Sequence, residues 1–270
     1  MRPASIAARK GSPSPRRCCC PTTSSRVVGR MRAASGVVSI AMSAYNPAMR
    51  VAVVSDVHCA GREDPIQERF IRWVDGLEAD ALWLLGDIFH WGWSFDGAVQ
   101  EEVQPVVDAL ARARGRGVEL LFVAGNHDFA VGRALEAALD IEVRCAHTRM
   151  VDGRKVFLAH GDEADQTSGY RLTRWFLQGP VFGGMIRWMG QMRGTGLLLR
   201  LAGDQKTDLF REDDRRGRDW LRTKLTDDTS LAICGHFHLA AREVHDEGEV
   251  VTLGAGGGSA AVWLVDGEVQ

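Results

Sequence analysis

What this 270-residue sequence lacks already narrows the kinds of protein it can be. It has no run of about 18 apolar residues, because arginines interrupt even its most apolar region, so we predict no membrane-spanning helix. Cys18, Cys19 and Cys20 are adjacent and the other three cysteines are scattered, which argues against a disulfide framework and favours a reducing cytoplasm. The formal net charge of -2 lacks the basic excess of proteins that follow phosphate backbones, so we expect no nucleic-acid partner.

The first 48 positions contain no Asp or Glu, are rich in Arg, Ser, Pro and Gly, and show no apolar periodicity. We expect residues 1–49 to be a disordered or non-native N-terminal extension of a domain that spans residues 50–270. The composition of this extension is similar to that of an organelle transit peptide. One alternative is a start codon placed too early, with Met31, Met42 or Met49 as the true first residue, and another is acylation of the triplet Cys18, Cys19 and Cys20.

The rest of the chain has the apolar pattern of an α/β protein. Val51–Val54 and Ala81–Leu85 are continuous apolar runs, as expected for strands that are covered on both faces. The pattern predicts one helix behind Pro65, a second over residues 99–114, and a third strand over residues 118–124. This order predicts a parallel sheet with right-handed crossovers, in which ligands gather at the carboxyl ends of the strands.

Later segments with strand character predict a second sheet packed on the first. Residues 165–211 break the pattern into helical segments with many arginines and large apolar side chains, so we predict that they form an inserted helical lid. The later strand segments are 155–159, 231–234, 249–253 and 260–265.

Five of the predicted strands are followed by polar segments whose side chains can bind divalent metals. A lone His or Asp at a strand end is more often a hydrogen-bonded polar residue than a ligand, but five such segments make coincidence hard to defend. In the last segment, the alternation of side chains directs both imidazoles to one side of the chain. The segments are Asp56-Val57-His58, Gly86-Asp87, Gly125-Asn126-His127-Asp128, His160-Gly161-Asp162 and Gly235-His236-Phe237-His238.

Together these segments supply enough oxygen and imidazole ligands for two divalent ions that share one carboxylate. We assign the bridge to Asp87, because Gly86 lets the loop turn sharply and brings that carboxylate forward. Mixed carboxylate, amide and imidazole ligands suit manganese, with iron or zinc as alternatives. The first ion is predicted to take Asp56, His58, Asp87 and His238, and the second to take Asp87, Asn126, His160 and His236.

Such a pair of ions predicts hydrolysis at phosphorus. Two ions about 3.5–4 Å apart lower the pKa of a bridging water and hold phosphoryl oxygens during in-line attack by metal-bound hydroxide. His127 is predicted to stabilise developing charge or to protonate the leaving oxygen, and Asp128 to orient His127. Trp91 follows Asp87 closely and is a candidate to border the site, although loop aromatics are at least as often packing residues.

In order and spacing, the five segments resemble the signature of the calcineurin-like metallophosphoesterase superfamily: Asp-x-His, Gly-Asp, Gly-Asn-His-Asp, His-Gly and Gly-His-x-His. The resemblance extends from Val51 to Val265 and leaves every ligand position filled. It implies an αββα sandwich of two mixed sheets flanked by helices, with a dimetal site between the sheets.

Within the superfamily the chain looks most like the UDP-2,3-diacylglucosamine hydrolases of lipid A biosynthesis, which cleave a pyrophosphate to give UMP and 2,3-diacylglucosamine 1-phosphate. This resemblance is carried by Phe89 and Trp91 after Gly-Asp, by Phe129 after Gly-Asn-His-Asp, and by Gly169-Tyr170. It implies a nucleotide-linked lipid substrate and peripheral contact with an anionic membrane, in the cytoplasm or on the inner face of the inner membrane. One position departs: many members carry Arg where this chain has His127.

The predicted lid supports a lipid substrate on separate grounds. Its apolar residues are predicted to line a groove for acyl chains, and arginines such as Arg171 and Arg174 to meet anionic head groups. Lys206 and Arg211, near its end, are candidates for contact with the diphosphate. The alternative is a helical cap that buries its own core.

Two other functions remain open. One is a phosphodiesterase or phosphatase acting on another nucleotide or small phosphoester. The Asp-Arg-Gly sequence of the Ser/Thr phosphatases is replaced here by Phe89-His90-Trp91-Gly92, which argues against a protein phosphatase. The other is a non-catalytic scaffold of the same fold, like a subunit of the retromer complex, although such a protein is expected to have lost ligands.

Overall fold

Two large β-sheets, one of six strands and one of five, are present in the part of the chain that the structure describes. This computed structural model describes residues 49–90, 94–95, 98–128, 131–164, 214–256 and 261–270. The strands are, in chain order, β1 (Val51–Val54), β2 (Ala81–Leu85), β3 (Ser94–Phe95), β4 (Ala98–Val99), β5 (Glu119–Val123), β6 (Val143–Arg144), β7 (Ala146–Val151), β8 (Arg154–Ala159), β9 (Leu231–Cys234), β10 (Ala241–His245), β11 (Gly248–Thr252), β12 (Val262–Val265) and β13 (Glu268–Val269).

Both large sheets are mixed: the five-stranded sheet has antiparallel pairing at both edges, and the six-stranded sheet has it only at the β12–β13 edge. The six-stranded sheet has the order β13-β12-β1-β2-β5-β6, in which β1, β2, β5 and β6 are parallel. The five-stranded sheet has the order β10-β11-β9-β8-β7, in which β11, β9 and β8 are parallel. Strands β1, β2 and β9 are buried at every residue, which explains why their sequences are continuous apolar runs.

The first helix begins where a side chain satisfies one of its free N–H groups. The Asp64 side chain accepts a hydrogen bond from the Ile66 N–H at 2.9 Å and so caps the first helix. Pro65 stands in the first turn, where its missing N–H costs nothing. The helices in the described ranges are α1 (Pro65–Asp75), α2 (Gln104–Gly115), α3 (Gly132–Leu139) and α4 (Asp214–Arg222).

Three apolar clusters separate the layers. The first lies between the six-stranded sheet and helices α1 to α3, and includes Phe70. The second fills the space between the sheets, with Trp83 from one and Leu158 from the other. The third joins Leu221 of α4 to Val250 in the five-stranded sheet. The layers are therefore helix, sheet, sheet and helix, and the predicted αββα sandwich of two mixed sheets is confirmed.

Several elements differ from the expectation drawn from the sequence, helix α2 and strand β7 among them. Helix α2 begins at Gln104, whereas the apolar pattern predicts a start at Val99. Val99 instead pairs with Ser94 in the β3–β4 ladder, and Pro105 is placed in the first turn of the helix. The pattern does not predict β7, because this edge strand has three consecutive exposed residues and no apolar run.

Two predicted segments fall beyond what the structure describes. The predicted extension, apart from Met49, and the predicted lid over residues 165–211 lie outside the described residues, so both stay predictions. None of the described helices is long and apolar enough to cross a bilayer.

Trp83 provides a test of the layer between the sheets. Its side chain is 1% exposed, and the indole N–H has no hydrogen-bond acceptor among the described residues. We expect Trp83→Ala to lower the free energy of unfolding by about 3–5 kcal/mol, because it leaves a cavity. Trp83→Phe should cost less, since it keeps an aromatic ring and removes the unsatisfied N–H. Urea unfolding measures both, and equal losses would contradict this placement.

Candidate dimetal site

The five metal-type segments meet at the carboxyl ends of parallel strands. Three of them follow β1, β2 and β5 in the six-stranded sheet, and two follow β8 and β9 in the five-stranded sheet. Hydrogen bonds join the two sets directly. The His236 backbone N–H donates to Asp56 Oδ2 at 2.8 Å, and His160 Nδ1 donates to the Leu85 carbonyl oxygen at 2.8 Å. The site is therefore built from both sheets.

Asp87 lies at the centre of the group, with its side chain only 3% exposed. Its Oδ1 accepts a hydrogen bond from the His127 backbone N–H at 2.8 Å. Its Oδ2 lies 3.4 Å from His160 Nε2, 3.9 Å from His127 Nε2 and 4.0 Å from His58 Nε2. Three imidazole nitrogens around one carboxylate oxygen form the environment expected of a bridging ligand.

Asp56, His58 and His238 form the first candidate ion site, with ligand atoms that all lie within 4.8 Å of one another. His238 Nε2 is 3.3 Å from Asp56 Oδ1 and 3.2 Å from His58 Nε2. Asp56 Oδ1 is buried and accepts no well-aligned hydrogen bond from the described residues. A buried carboxylate oxygen that faces two imidazoles fits a divalent cation, which would satisfy its lone pairs.

His160, Asn126 and Asp87 form the second candidate ion site. His160 Nε2 lies 3.1 Å from Asn126 Oδ1, in addition to its approach to Asp87. Because His160 Nδ1 donates to the Leu85 carbonyl, Nε2 is the nitrogen that faces these oxygens. The His236 ring lies beside this second candidate ion site, with its centroid 5.1 Å from the centroid of the His160 ring. The fold thus brings together all seven predicted ligands, and their binding of metal stays a prediction.

The backbone is strained where it presents these ligands. Non-glycine residues rarely adopt positive φ, and doing so costs about 1–3 kcal/mol each. Eight described non-glycine residues do so, and five of them are predicted ligands, which points to backbone conformations imposed by the site. The five are Asp56 (φ 54°), His58 (φ 55°), Asp87 (φ 53°), His236 (φ 72°) and His238 (φ 55°).

At two motif glycines, neighbouring side chains lie too close to leave room for a Cβ atom. A Cβ atom on Gly125 would lie 2.2 Å from Asp87 Oδ1, and one on Gly235 would lie 1.8 Å from Ser55 Oγ and 2.4 Å from Asp56 Oδ2. Any side chain at either position would therefore displace a carboxylate that the site needs.

Burial keeps two of the imidazoles neutral. It lowers the pKa of His58 and of His236 to about 4, so both rings offer lone pairs at neutral pH. For His160, burial acts against protonation, but the charge of Asp87 and its hydrogen bond outweigh it and raise the pKa well above 6.5. A cation held by Asp87 and His160 would take the place of that proton.

His127 is more open than the buried ligands, with 24% of its side chain exposed. Its Nδ1 lies 2.5 Å from the His90 carbonyl oxygen, to which it can only donate. Nε2, 3.9 Å from Asp87 Oδ2, is therefore the nitrogen available to exchange a proton. Its ligand atom also lies within 4.8 Å of those of His58 and Asp87, so metal ligation is the alternative role.

Asp128 is a buried acceptor for backbone N–H groups. Its carboxylate is fully buried and accepts backbone N–H groups from Phe89 at 3.1 Å, Ile88 at 3.3 Å and Gly125 at 3.4 Å. Burial, with the charge of Asp87, raises its pKa to about 7. These contacts join the loop after β2 to the loop after β5, and the orienting role of Asp128 toward His127 stays a prediction.

Ser55 contacts the candidate ligand Asp56 and is a residue that sequence reasoning misses. Its buried hydroxyl lies 2.6 Å from Asp56 Oδ2 and 2.8 Å from the Leu85 carbonyl oxygen. Together with the His236 N–H, it fixes Oδ2 and leaves Asp56 Oδ1 directed at His238. The sequence feature that could have identified Ser55 is a polar residue between an apolar strand and a candidate ligand.

The predicted substrate contacts cannot be placed in the same way. Trp91, Arg171, Arg174, Lys206 and Arg211 lie outside the described residues. Their roles stay predictions.

The family model of the calcineurin-like phosphoesterases matches residues 49–255, more than half of the chain and a range that includes every candidate ligand. This chain belongs to the calcineurin-like phosphoesterase family. The resemblance inferred from the five motifs is thereby confirmed at the level of the family. Membership also supports metal binding by the Asp and His clusters described above.

Among curated relatives, the chain is similar to UDP-2,3-diacylglucosamine hydrolases. The Yersinia enterocolitica protein is 27% identical over 148 residues, which cover 52% of this chain and 60% of that relative. The Aeromonas salmonicida protein is 34% identical over 119 residues, which cover 42% and 46%. A Yersinia pseudotuberculosis protein is 27% identical over 207 residues, which cover 72% and 83%. The match thus spans only about half of the length of several of these relatives.

Solved structures of phosphoesterase-like proteins also match the chain. The phosphoesterase Yfce from E. coli is 17% identical, with 80% of this chain and 88% of that chain covered and a TM-score of 0.40. A Vps29 mutant from Entamoeba histolytica is 15% identical, with 82% and 96% covered and a TM-score of 0.39. Since both scores are below 0.5, these matches do not distinguish an enzyme from a Vps29-like protein.

We expect Ser55→Ala to weaken manganese binding by about 10–100-fold, because Asp56 loses the hydroxyl that orients it. Titration calorimetry of the metal-free protein measures this effect. Ser230→Ala is the matched control: it removes a hydroxyl that contacts Arg154 Nε at 3.3 Å, just before β9 and at the other end of that strand from His236. Equal manganese affinity in the wild type and Ser55→Ala would show that the hydroxyl does not position the ligand.

We expect His127→Ala to lower kcat by about 100-fold to 10,000-fold, because the group that exchanges a proton is lost. Manganese stoichiometry should stay unchanged if His127 acts on the substrate alone. Loss of one bound ion per chain would instead identify His127 as a ligand. Steady-state kinetics and titration calorimetry on the same preparation separate the two roles.

Proposed function

We propose that this phosphoesterase hydrolyses the pyrophosphate of UDP-2,3-diacylglucosamine to UMP and 2,3-diacylglucosamine 1-phosphate. The observation that carries the chemistry is Asp87 Oδ2, which is buried among imidazole nitrogens supplied by both sheets. The substrate is supported by the curated relatives of that name at 27–34% identity.

In this proposal, seven residues of the site bind metal and one, His127, transfers a proton. Two divalent ions, when bound, supply Lewis acidity toward phosphoryl oxygens and lower the pKa of a water. The donor set suits manganese, with iron or zinc as alternatives. Asp56, His58 and His238 would hold one ion and Asn126, His160 and His236 the other, with Asp87 shared by both.

His127 is proposed to carry the proton of the leaving oxygen on Nε2. The His90 carbonyl fixes the opposite nitrogen, so the ring presents Nε2 in one orientation. Its partial exposure leaves this nitrogen accessible to a substrate, unlike the buried His160.

The proposal includes a peripheral position on the inner face of the membrane, because a diacylated substrate resides in a bilayer. Arg171, Arg174, Lys206, Arg211 and Trp91 are the proposed contacts to the substrate and to the anionic surface. This part depends on the sequence of the predicted lid.

A second candidate is a phosphodiesterase that acts on another nucleotide or small phosphoester. The observation that favours it is His127, which stands where many UDP-2,3-diacylglucosamine hydrolases carry Arg. A scaffold role is less favoured, because every predicted ligand position keeps a residue capable of binding metal.

We expect purified protein with manganese to release UMP from UDP-2,3-diacylglucosamine in detergent, and Asp87→Asn to abolish the release because the shared ligand loses its charge. The matched control is Asp246→Asn. Asp246 is exposed in the turn between β10 and β11, at the opposite end of the sheet from His236. Chromatography of the nucleotide product measures the reaction.

Three results would redirect the proposal. Hydrolysis of bis(p-nitrophenyl) phosphate without UMP release would support the second candidate and overturn the substrate. Equal UMP release by Asp87→Asn would rule out the shared ligand. Failure of the wild-type protein to bind manganese, iron or zinc would revive the scaffold role.

A further inference from the structure

Helix α4 touches the last metal-type segment through a glycine. Gly217, in the interior of this helix, is buried, and a Cβ atom placed on it would meet three ring atoms of Phe237. The distances would be 2.3 Å to Cε2, 2.6 Å to Cδ2 and 2.6 Å to Cζ. The helix backbone therefore lies directly against the phenyl ring.

Phe237 stands between the two candidate ligands His236 and His238. Its side chain is 5% exposed and belongs to the apolar cluster that includes Leu221 and Leu225. Its ring packs edge-on against the His236 imidazole, with centroids 5.2 Å apart and planes at 84°. A shift of the phenyl ring must therefore move the His236 ring or the backbone that carries both ligands.

That backbone has little intrinsic preference for its conformation. The Phe237 N–H donates to the Gly235 carbonyl at 2.9 Å, which makes a tight turn. His236 and His238, on either side, both have positive φ. Strained backbone of this kind persists only where its surroundings determine it, and the contact of Phe237 with α4 is one such determinant.

The choice of glycine is informative because alanine is favoured in the interior of a helix. Gly217 does not have a positive φ that would require glycine. What requires glycine here is space for the Phe237 ring. Helix α2 gives the contrast: Gly115 has nothing within 4 Å of an added Cβ, so alanine would fit there.

We propose that Gly217 is a positioning residue for the metal site, acting through Phe237 to hold His236 and His238 in their binding orientations. This inference depends on the dimetal site of the proposed function and not on its substrate. It makes α4, which supplies no ligand, part of the machinery that sets metal affinity.

The test is manganese titration of the full chain by calorimetry, after removal of metal with a chelator. We expect Gly217→Ala to weaken manganese binding by about 10–100-fold, as for other supports of metal ligands. Gly115→Ala, the matched helix substitution with open space, should bind manganese like the wild type. Thermal unfolding of the metal-free proteins shows whether each variant is folded. A purely structural defect would change the unfolding of the metal-free protein.

Phe237→Leu makes the test independent of whether Gly217→Ala folds. Leucine lacks the ring atoms that an added Cβ would strike. In the Phe237→Leu background we therefore expect Gly217→Ala to cause little further loss of manganese affinity, and the double variant to fold.

The outcomes separate clearly. Wild-type manganese affinity in a folded Gly217→Ala variant would overturn the inference, and so would an equal loss in both backgrounds. A loss in the wild-type background that the Phe237→Leu background removes would establish it. Manganese binding without UMP release by the wild type would overturn the proposed substrate and leave this inference intact.

Discussion

The structure depends on two buried carboxylates, those of Asp56 and Asp87. Burying a carboxylate is costly unless partners compensate its charge, and each of these has one oxygen fixed by a backbone N–H at 2.8 Å. For Asp56 that N–H comes from His236, in the other sheet. The other oxygen of each carboxylate faces imidazoles. The contacts that make burial tolerable therefore also join the sheets and direct one oxygen of each carboxylate toward a cation.

Around these carboxylates, main-chain groups do much of the positioning. The Leu85 carbonyl sets the tautomer of His160, and the His90 carbonyl does the same for His127. For Asp128 the roles are exchanged: its side-chain carboxylate accepts hydrogen bonds from backbone N–H groups of two loops. Since strand ends are rigid, loops anchored in this way can hold a strained backbone at the ligands.

How far the sequence predicts this structure depends on the range of the interactions involved. Strands β1, β2 and β9 follow from their apolar runs, and the five motifs identify the residues that converge. The start of α2 does not follow, because β4 competes for Val99. The role of Ser55 and the packing of Gly217 on Phe237 are also hidden, since each depends on a contact made only after the chain has folded.

The spread of the ligands along the chain has a consequence for biosynthesis. Asp56, His58, Asp87 and Asn126 belong to the first half of the chain, whereas His160, His236 and His238 come with the second sheet. A nascent chain that has emerged only through β5 holds carboxylates without most of their imidazoles. Stable metal uptake by this ligand set would therefore follow synthesis of β9 and docking of the two sheets. A metal bound at this late stage would stabilise the completed fold by mass action and not its intermediates.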